Sequence, residues 1–362
     1  MTFERKHLKN IKNYQPGKPI EEVKRDLGLR QVIKLASNES PFPPSKATRK
    51  ALIENICRVN RYPDSQGYYL KRKLAANLKV KPGNIILGNG SDELIVLALR
   101  AFVDPGQEVI VGNPTFLIYE IQAKACGLRV VRSRLKDFRY DLDDIKRKIT
   151  KKTKLIFIAN PDNPNGTYLK HEEIQSFLKA IPRKVIVFFD EAYCEFSPED
   201  FPKSINFLKQ GYNMIFTRTF SKVFGLAGLR IGYGIAKPEL IRSLDKVREP
   251  FNVNSLAQAA ACSCLNQKNQ ARQTVRYINK EKYFFYEGLG NLNLRFVKSA
   301  TNFILVDLGR ISSKAVFSRL LKKGIIVREM SSWGFKNFIR VTVGTHSQNR
   351  RFLKALSLSL NH

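Results

Sequence analysis

Acidic residues are scarce in this sequence of 362 residues: 31 Asp and Glu face 63 Lys and Arg, leaving a formal net charge of +32. Long apolar runs are missing as well. None approaches the ~20 residues that a membrane-spanning helix needs, and the polar start, Met1 to Lys12, has no stretch resembling a secretory signal. The expectation is a cytoplasmic protein without a membrane partner. Cysteine is confined to Cys57, Cys126, Cys194, Cys262 and Cys264, an odd set without CxxC spacing, which argues against a disulfide framework. The histidines, His7, His171, His346 and His362, lie far apart and form no zinc motif, so no metal is expected.

Hydrophobic residues make up 43% of the chain, enough for a packed core and too many for a disordered basic tail. The length suits two lobes. Short apolar runs at Ile85–Leu87, Glu108–Val111, Leu155–Ile158, Val185–Phe189 and Met214–Thr217 read as buried strands. Helical patterns such as Asp92–Phe102 and His171–Ala180 fall between them, so the fold class is α/β, with a mostly parallel central sheet flanked by helices. After Asn254 a long basic helical stretch (Gln267 to Lys282) leads to strand candidates at Asn302–Leu308, Gly324–Arg328 and Phe338–Val343, a smaller α+β lobe. The expected division is an N-terminal arm over 1–35 that packs with the small domain, a large domain over 36–254 and a small one over 255–362.

Four segments carry chemistry. In Thr217-Arg-Thr-Phe-Ser-Lys222-Val-Phe-Gly-Leu-Ala-Gly-Leu-Arg230, a lysine follows a buried strand and an arginine follows it eight residues later. Phe220, Val223, Phe224 and Leu226 are expected to desolvate the Lys222 amine and favour its neutral, nucleophilic form. Arg230 can grip a phosphate through a bidentate fork. The run Val185 to Tyr193 ends a strand with Asp190, at the carboxyl edge where open α/β sheets bind ligands. A buried aspartate there needs a cation, and a protonated pyridine nitrogen is one. Gly88-Asn-Gly-Ser-Asp-Glu93 is a strand, a glycine turn and a helix start, a phosphate-cup candidate that matches neither the Rossmann fingerprint nor a Walker A loop. Asn160-Pro-Asp-Asn-Pro-Asn-Gly166 is dense in turn formers and taken alone is an ordinary tight loop.

Taken together and in their chain order, from Gly88–Glu93 through Asn160–Gly166 and Asp190–Tyr193 to Ser221-Lys222 and Arg230, the four segments resemble those of the class I/II pyridoxal-phosphate aminotransferases of fold type I. Leu35-Ala-Ser-Asn38-Glu39, Arg61-Tyr62-Pro63-Asp64 and Ile339-Arg340-Val-Thr-Val-Gly-Thr345 extend the match from about Tyr14 to Thr345. The resemblance implies pyridoxal 5'-phosphate as a Schiff base on Lys222, which then moves the proton at the substrate α-carbon. It pairs Asp190 with the pyridine nitrogen, gives Asn163 and Tyr193 to the ring oxygen and stacks Phe116 on the ring. Ser91, Asp92, Thr219, Ser221 and Arg230 would surround the cofactor phosphate. Tyr62 matches a tyrosine that reaches a neighbouring subunit's cofactor, which implies a homodimer with active sites at the interface. Tyr14, Asn38, Arg328 and Arg340 would meet the substrate.

Within the group the motifs are most similar to the branch that passes an amino group from glutamate to imidazole-acetol phosphate, a step of histidine biosynthesis. Decarboxylation of threonine phosphate and transamination of aromatic amino acids use the same scaffold and stay open as alternatives. Asp162 and Asn165 depart from the usual Asn and Thr of the loop, and Phe116 replaces the commoner Tyr. Nucleic-acid binding is a third reading of the function, suggested only by the charge. Arg310 to His362 holds eleven Lys/Arg against one acid, yet no RRM or zinc-finger signature accompanies it, so small anionic substrates are expected and no specific nucleic acid.

Overall fold

The computed structural model of the chain describes residues 3–9 and 11–360. Its first elements are helix α1 (Ile20–Leu27), the short strand β1 (Ile33–Lys34), and helices α2 (Lys46–Ile56) and α3 (Tyr68–Leu78). The central part alternates through β2 (Ile85–Gly88), α4 (Ser91–Phe102), β3 (Glu108–Asn113), α5 (Leu117–Ala125), β4 (Arg129–Lys136), β5 (Arg139–Tyr140) and α6 (Leu142–Lys148). It continues through β6 (Thr153–Ala159), α7 (His171–Ala180), β7 (Ile186–Asp190), α8 (Ser204–Lys209), β8 (Met214–Thr219), β9 (Gly232–Ala236) and α9 (Pro238–Lys246). The remainder holds α10 (Ser255–Cys264), α11 (Lys268–Asn291), β10 (Arg295–Phe296), β11 (Phe303–Asp307) and α12 (Ser313–Lys322). Last come β12 (Ile325–Ile326), β13 (Arg328–Glu329), β14 (Phe338–Thr342) and α13 (His346–Leu360). Among the described residues no helix is long and apolar enough to cross a membrane.

The large sheet has the order β2-β9-β8-β7-β6-β3-β4-β5. From β8 to β4 every pairing is parallel, while β9 runs against both of its neighbours. The central strands are apolar along their length because helices cover both faces. Two strands escape the hydrophobic pattern. In β4 apolar residues share the strand with three arginines and a lysine, and most of it is half-buried or exposed. In β9 two glycines interrupt the apolar run for a steric reason: a Cβ on Gly232 would lie 2.6 Å from the Ser91 backbone nitrogen.

The small lobe is an antiparallel sheet, β10-β11-β14-β13. The single strand expected over 324–328 is two. Ile325 and Ile326 pair with Ile33 and Lys34 of β1, whereas Arg328 and Glu329 pair with Arg340 and Ile339 of β14. The expected domain boundary also shifts on packing grounds. Ala257, Ala260, Ala261 and Cys264 of α10 sit in the large core with Leu70 and Leu74, so the small lobe begins with α11, whose Ile278, Phe285 and Leu289 enter the small core. The arm is shared: Val23 of α1 packs with Ala36 and Ile326, while His7 Nε2 lies 3.1 Å from the Ala125 carbonyl on α5.

Candidate active site

The carboxyl ends of the parallel strands open onto a cavity of about 420 Å³ between the lobes. Its lining brings together Tyr14, Asn38, Ser91, Asp92, Phe116, Asn163, Asp190, Tyr193, Thr219, Ser221, Lys222, Arg230, Arg328 and Arg340. Tyr62 is not among them. It is 82% exposed on the outer surface of the chain and stacks on Phe251 at 4.7 Å between ring centroids.

At one end of the cavity α4 begins at Ser91, after Gly90 at φ +77°. No side chain caps this helix, so the first-turn N–H groups are left for an anion. Arg230, with a left-handed φ of 54°, closes over the turn and its Nη2 lies 3.6 Å from an Asp92 oxygen. A Cβ on Gly90 would stand 2.4 Å from Arg230 Nη2, so glycine is what lets the guanidinium in. The Ser221 N–H donates to Thr219 Oγ1 at 3.1 Å, folding the loop after β8 so that both hydroxyl residues reach the cavity.

In the middle, Asp190 ends β7 with 6% of its surface exposed. It accepts from the Tyr119 hydroxyl (2.6 Å), the Thr217 hydroxyl (3.3 Å) and the Ala192 N–H (3.1 Å). Every one of these donors is neutral, and burial pushes the carboxyl up to about 6. Lys222 Nζ lies 5.4 Å from the centre of the Tyr193 ring. The hydrophobic residues expected to surround this amine do not. Phe220 and Leu226 point into the large core and Val223 into the small one, while Phe224 packs partly buried against both. The loop must anchor itself at both lobes, which turns those side chains away from the cavity.

The other end belongs to the small lobe. The Arg340 guanidinium donates to Asn163 Oδ1 and, at 3.1 Å, to the Ala36 carbonyl; Arg328 donates to the Gln15 carbonyl. Asn38 donates to the Tyr193 hydroxyl at 2.8 Å. Burial lowers the pKa of both arginines, that of Arg340 to about 10, and a guanidinium keeps its proton in proteins. Sequence reasoning passed over Tyr119, Thr115 and Trp333. Tyr119 and Thr115 stand in the Asn113-Pro-Thr-Phe-Leu-Ile-Tyr119 segment beside Phe116, which was the available signal; Trp333 had none.

The cavity fits pyridoxal phosphate: an uncapped helix start with an arginine for the phosphate, a buried carboxyl lining the lumen with no cationic partner among the described residues, and a lysine in the wall. Residues 30–356 match the family profile described as aminotransferase class I and II. The histidinol-phosphate aminotransferase of Moorella thermoacetica is 46% identical over 354 residues, covering 97% of this chain and 92% of the relative. Histidinol-phosphate aminotransferase 2 of Carboxydothermus hydrogenoformans is 43% identical, with 98% and 99% covered. The crystal structure of histidinol-phosphate aminotransferase from Sinorhizobium meliloti in complex with pyridoxal-5'-phosphate superposes with a TM-score of 0.91 at 27% identity, over 99% of this chain and 98% of that one. The chain belongs to the class I and II aminotransferases, within the histidinol-phosphate aminotransferase branch.

Proposed function

We propose that the protein transfers an amino group from L-glutamate to imidazole-acetol phosphate, giving 2-oxoglutarate and L-histidinol phosphate, and catalyses the reverse. The observation that carries this reading is the pair of buried arginines, Arg328 and Arg340, facing the lumen with carbonyl and amide oxygens as their polar partners. A guanidinium binds carboxylate and phosphate with the same fork, so one clamp serves glutamate and the phosphorylated partner in turn.

Pyridoxal phosphate, when bound, supplies the electron sink that stabilises negative charge at the substrate α-carbon. Lys222 Nζ would hold the cofactor and move the proton at the substrate α-carbon. Asp190 would pair with the pyridine nitrogen, and Tyr119 and Thr217 hold that carboxylate in place. Tyr193 and Asn163 would donate to the ring oxygen, and Phe116 would cover the ring face. The α4 start with Ser91 and Asp92, together with Thr219, Ser221 and Arg230, grips the phosphate. Arg340 takes the glutamate carboxylate, Arg328 joins it on the substrate phosphate, and Tyr14 and Asn38 close over the bound molecule. Tyr62 serves a partner subunit's site in a homodimer.

Purified, cofactor-loaded protein tests the reading. Glutamate and imidazole-acetol phosphate should yield histidinol phosphate, and Lys222→Ala should cut the turnover by at least about a hundredfold, the lower end of general acid–base contributions. Release of CO2 from threonine phosphate without amination would overturn it.

A further inference from the structure

Arg328 and Arg340 pose an electrostatic problem. Both are buried, and among the described residues neither Nε has a hydrogen-bond partner and neither guanidinium forms an ion pair. Glu329, the nearest acid in sequence, turns its carboxylate to the hydroxyls of Ser313 and Ser331. An acid beside the pair would satisfy the charge but would compete with the very anion the clamp has to bind. Aromatic faces take its place. The Arg328 guanidinium lies 4.9 Å from the centre of the Trp333 ring and 5.5 Å from that of Tyr14. The Arg340 guanidinium lies 5.0 Å from Phe303 and 6.0 Å from Trp333. Among the described residues Trp333 is the one ring shared by both, and indole is the strongest π partner for a cation.

Trp333 is itself pinned. It is 5% exposed, and its Nε1–H donates to the Thr115 carbonyl at 2.9 Å. Thr115 immediately precedes Phe116, and its hydroxyl donates to Asp162 at 2.6 Å, next to Asn163, the acceptor of Arg340. The contacts therefore close a ring from the arginine clamp, through Trp333 and Thr115, to the loop that meets the cofactor.

We infer that Trp333 is a specificity-determining positioning residue: its indole holds the arginine pair charged and unpaired, and so tunes the site for a phosphate-bearing substrate. The inference rests on the transaminase reading above. Because the indole lies nearer Arg328 than Arg340, its loss should fall harder on the phosphate substrate than on glutamate.

The chain has a single tryptophan, so fluorescence excited at a wavelength that tyrosine does not absorb reports Trp333 alone. Titrating the cofactor-loaded protein with inorganic phosphate should change that fluorescence saturably, with a midpoint equal to the inhibition constant of phosphate against imidazole-acetol phosphate. Arg328→Gln should abolish the change. In Trp333→Leu that retains its cofactor absorbance and thermal midpoint, KM for imidazole-acetol phosphate should rise about tenfold, the weight of a desolvated cation–π contact. The kcat and the glutamate KM should stay within about twofold, the pattern of lost binding rather than lost chemistry. Trp333→Phe, which keeps a ring, should fall between. Equal rises in both KM values, or competitive inhibition by phosphate without a fluorescence change, would overturn the inference. If Trp333→Leu does not fold, the wild-type titration and Trp333→Phe still decide it. A wild-type protein that fails to aminate imidazole-acetol phosphate defeats the functional reading instead, while the phosphate titration tests the contact on its own.

Discussion

Asp162 and Asp190 are two carboxyls carried into the interior with neutral donors in place of a cation. Asp162 accepts from the Thr115 hydroxyl at 2.6 Å, the Tyr140 hydroxyl at 3.1 Å and the Asn165 N–H at 3.3 Å, and burial pushes it up to about 6. A carboxyl whose folded pKa lies above its usual 3.8 favours the folded state when protonated. That contribution is fully present below 3.8 and is lost as the pH rises through about 6, so at neutral pH the buried charge costs about 3 kcal/mol. Asp162→Asn is neutral throughout, and the Thr115 and Tyr140 hydroxyls can turn to accept from its amide. The variant should melt at a higher temperature than wild type at pH 8, and the difference should close as the pH falls from 6 towards 4. A difference that does not vary with pH would show that the charge is not the cause. Asp190 carries the same burden for a different end, since a protonated pyridine beside it would relieve the cost on binding.

The element that most directly serves the site is α4. Its first turn can bind an anion because Gly90 holds a left-handed conformation and offers no Cβ, and because Gly232 of β9 lets the helix start come close to the sheet. Gly90→Ala combines backbone strain with a collision at Arg230. It should weaken pyridoxal-phosphate binding by about tenfold or more, the equivalent of one displaced charge-assisted contact, measured by equilibrium dialysis of the apoprotein. An unchanged dissociation constant would mean that Arg230 is not part of the phosphate grip. Elements also differ in how far their sequences reveal them. Leu155–Ala159 of β6, Ile186–Phe189 of β7 and Met214–Phe216 of β8 are continuous apolar runs that only a doubly covered strand requires, and helix α7 spans His171 to Ala180 as its periodicity predicts. β4 hides behind its arginines and β9 behind its glycines. The segment 325–329 changes partner between Ile326 and Arg328, and no local pattern marks a change that depends on β1 arriving from some three hundred residues upstream. In the same way the small residues of α10 suit either core, so the lobe boundary was displaced by one helix.

On the scale of the whole molecule, Ile53, Ile56, Val59, Tyr62, Tyr68 and Tyr69 are all exposed within one short stretch of chain, with Phe251 stacked on Tyr62. Apolar exposure of this kind on an otherwise strongly charged chain marks a protein contact, and a second copy is the partner that would put Tyr62 to use. Sedimentation should find the wild type dimeric at micromolar concentration and Tyr69→Glu shifted towards monomer; a wild-type monomer would remove the role given to Tyr62. The surplus of basic charge has a different reading at this scale. A net +32 attracts phosphorylated and carboxylate substrates over a distance, an effect that salt should weaken.

Chain order alone puts Lys222, Asp190, Arg230 and the glycine turn at Gly88–Gly90 at strand ends and a helix start that open onto one cavity, because each belongs to a short segment whose local geometry is dictated by its neighbours in sequence. The same holds for the α/β class, which follows from apolar runs that must be covered on both faces. Folding decided what depends on residues far apart meeting. It turned Phe220, Val223 and Leu226 into the cores and away from the lysine. It set the Tyr119 hydroxyl against Asp190 across two strands, and it placed Trp333 beside two arginines and a threonine from the other lobe. A cation–π contact or a buried carboxyl's pKa is a property of what surrounds a side chain, and those surroundings are assembled only when distant segments pack.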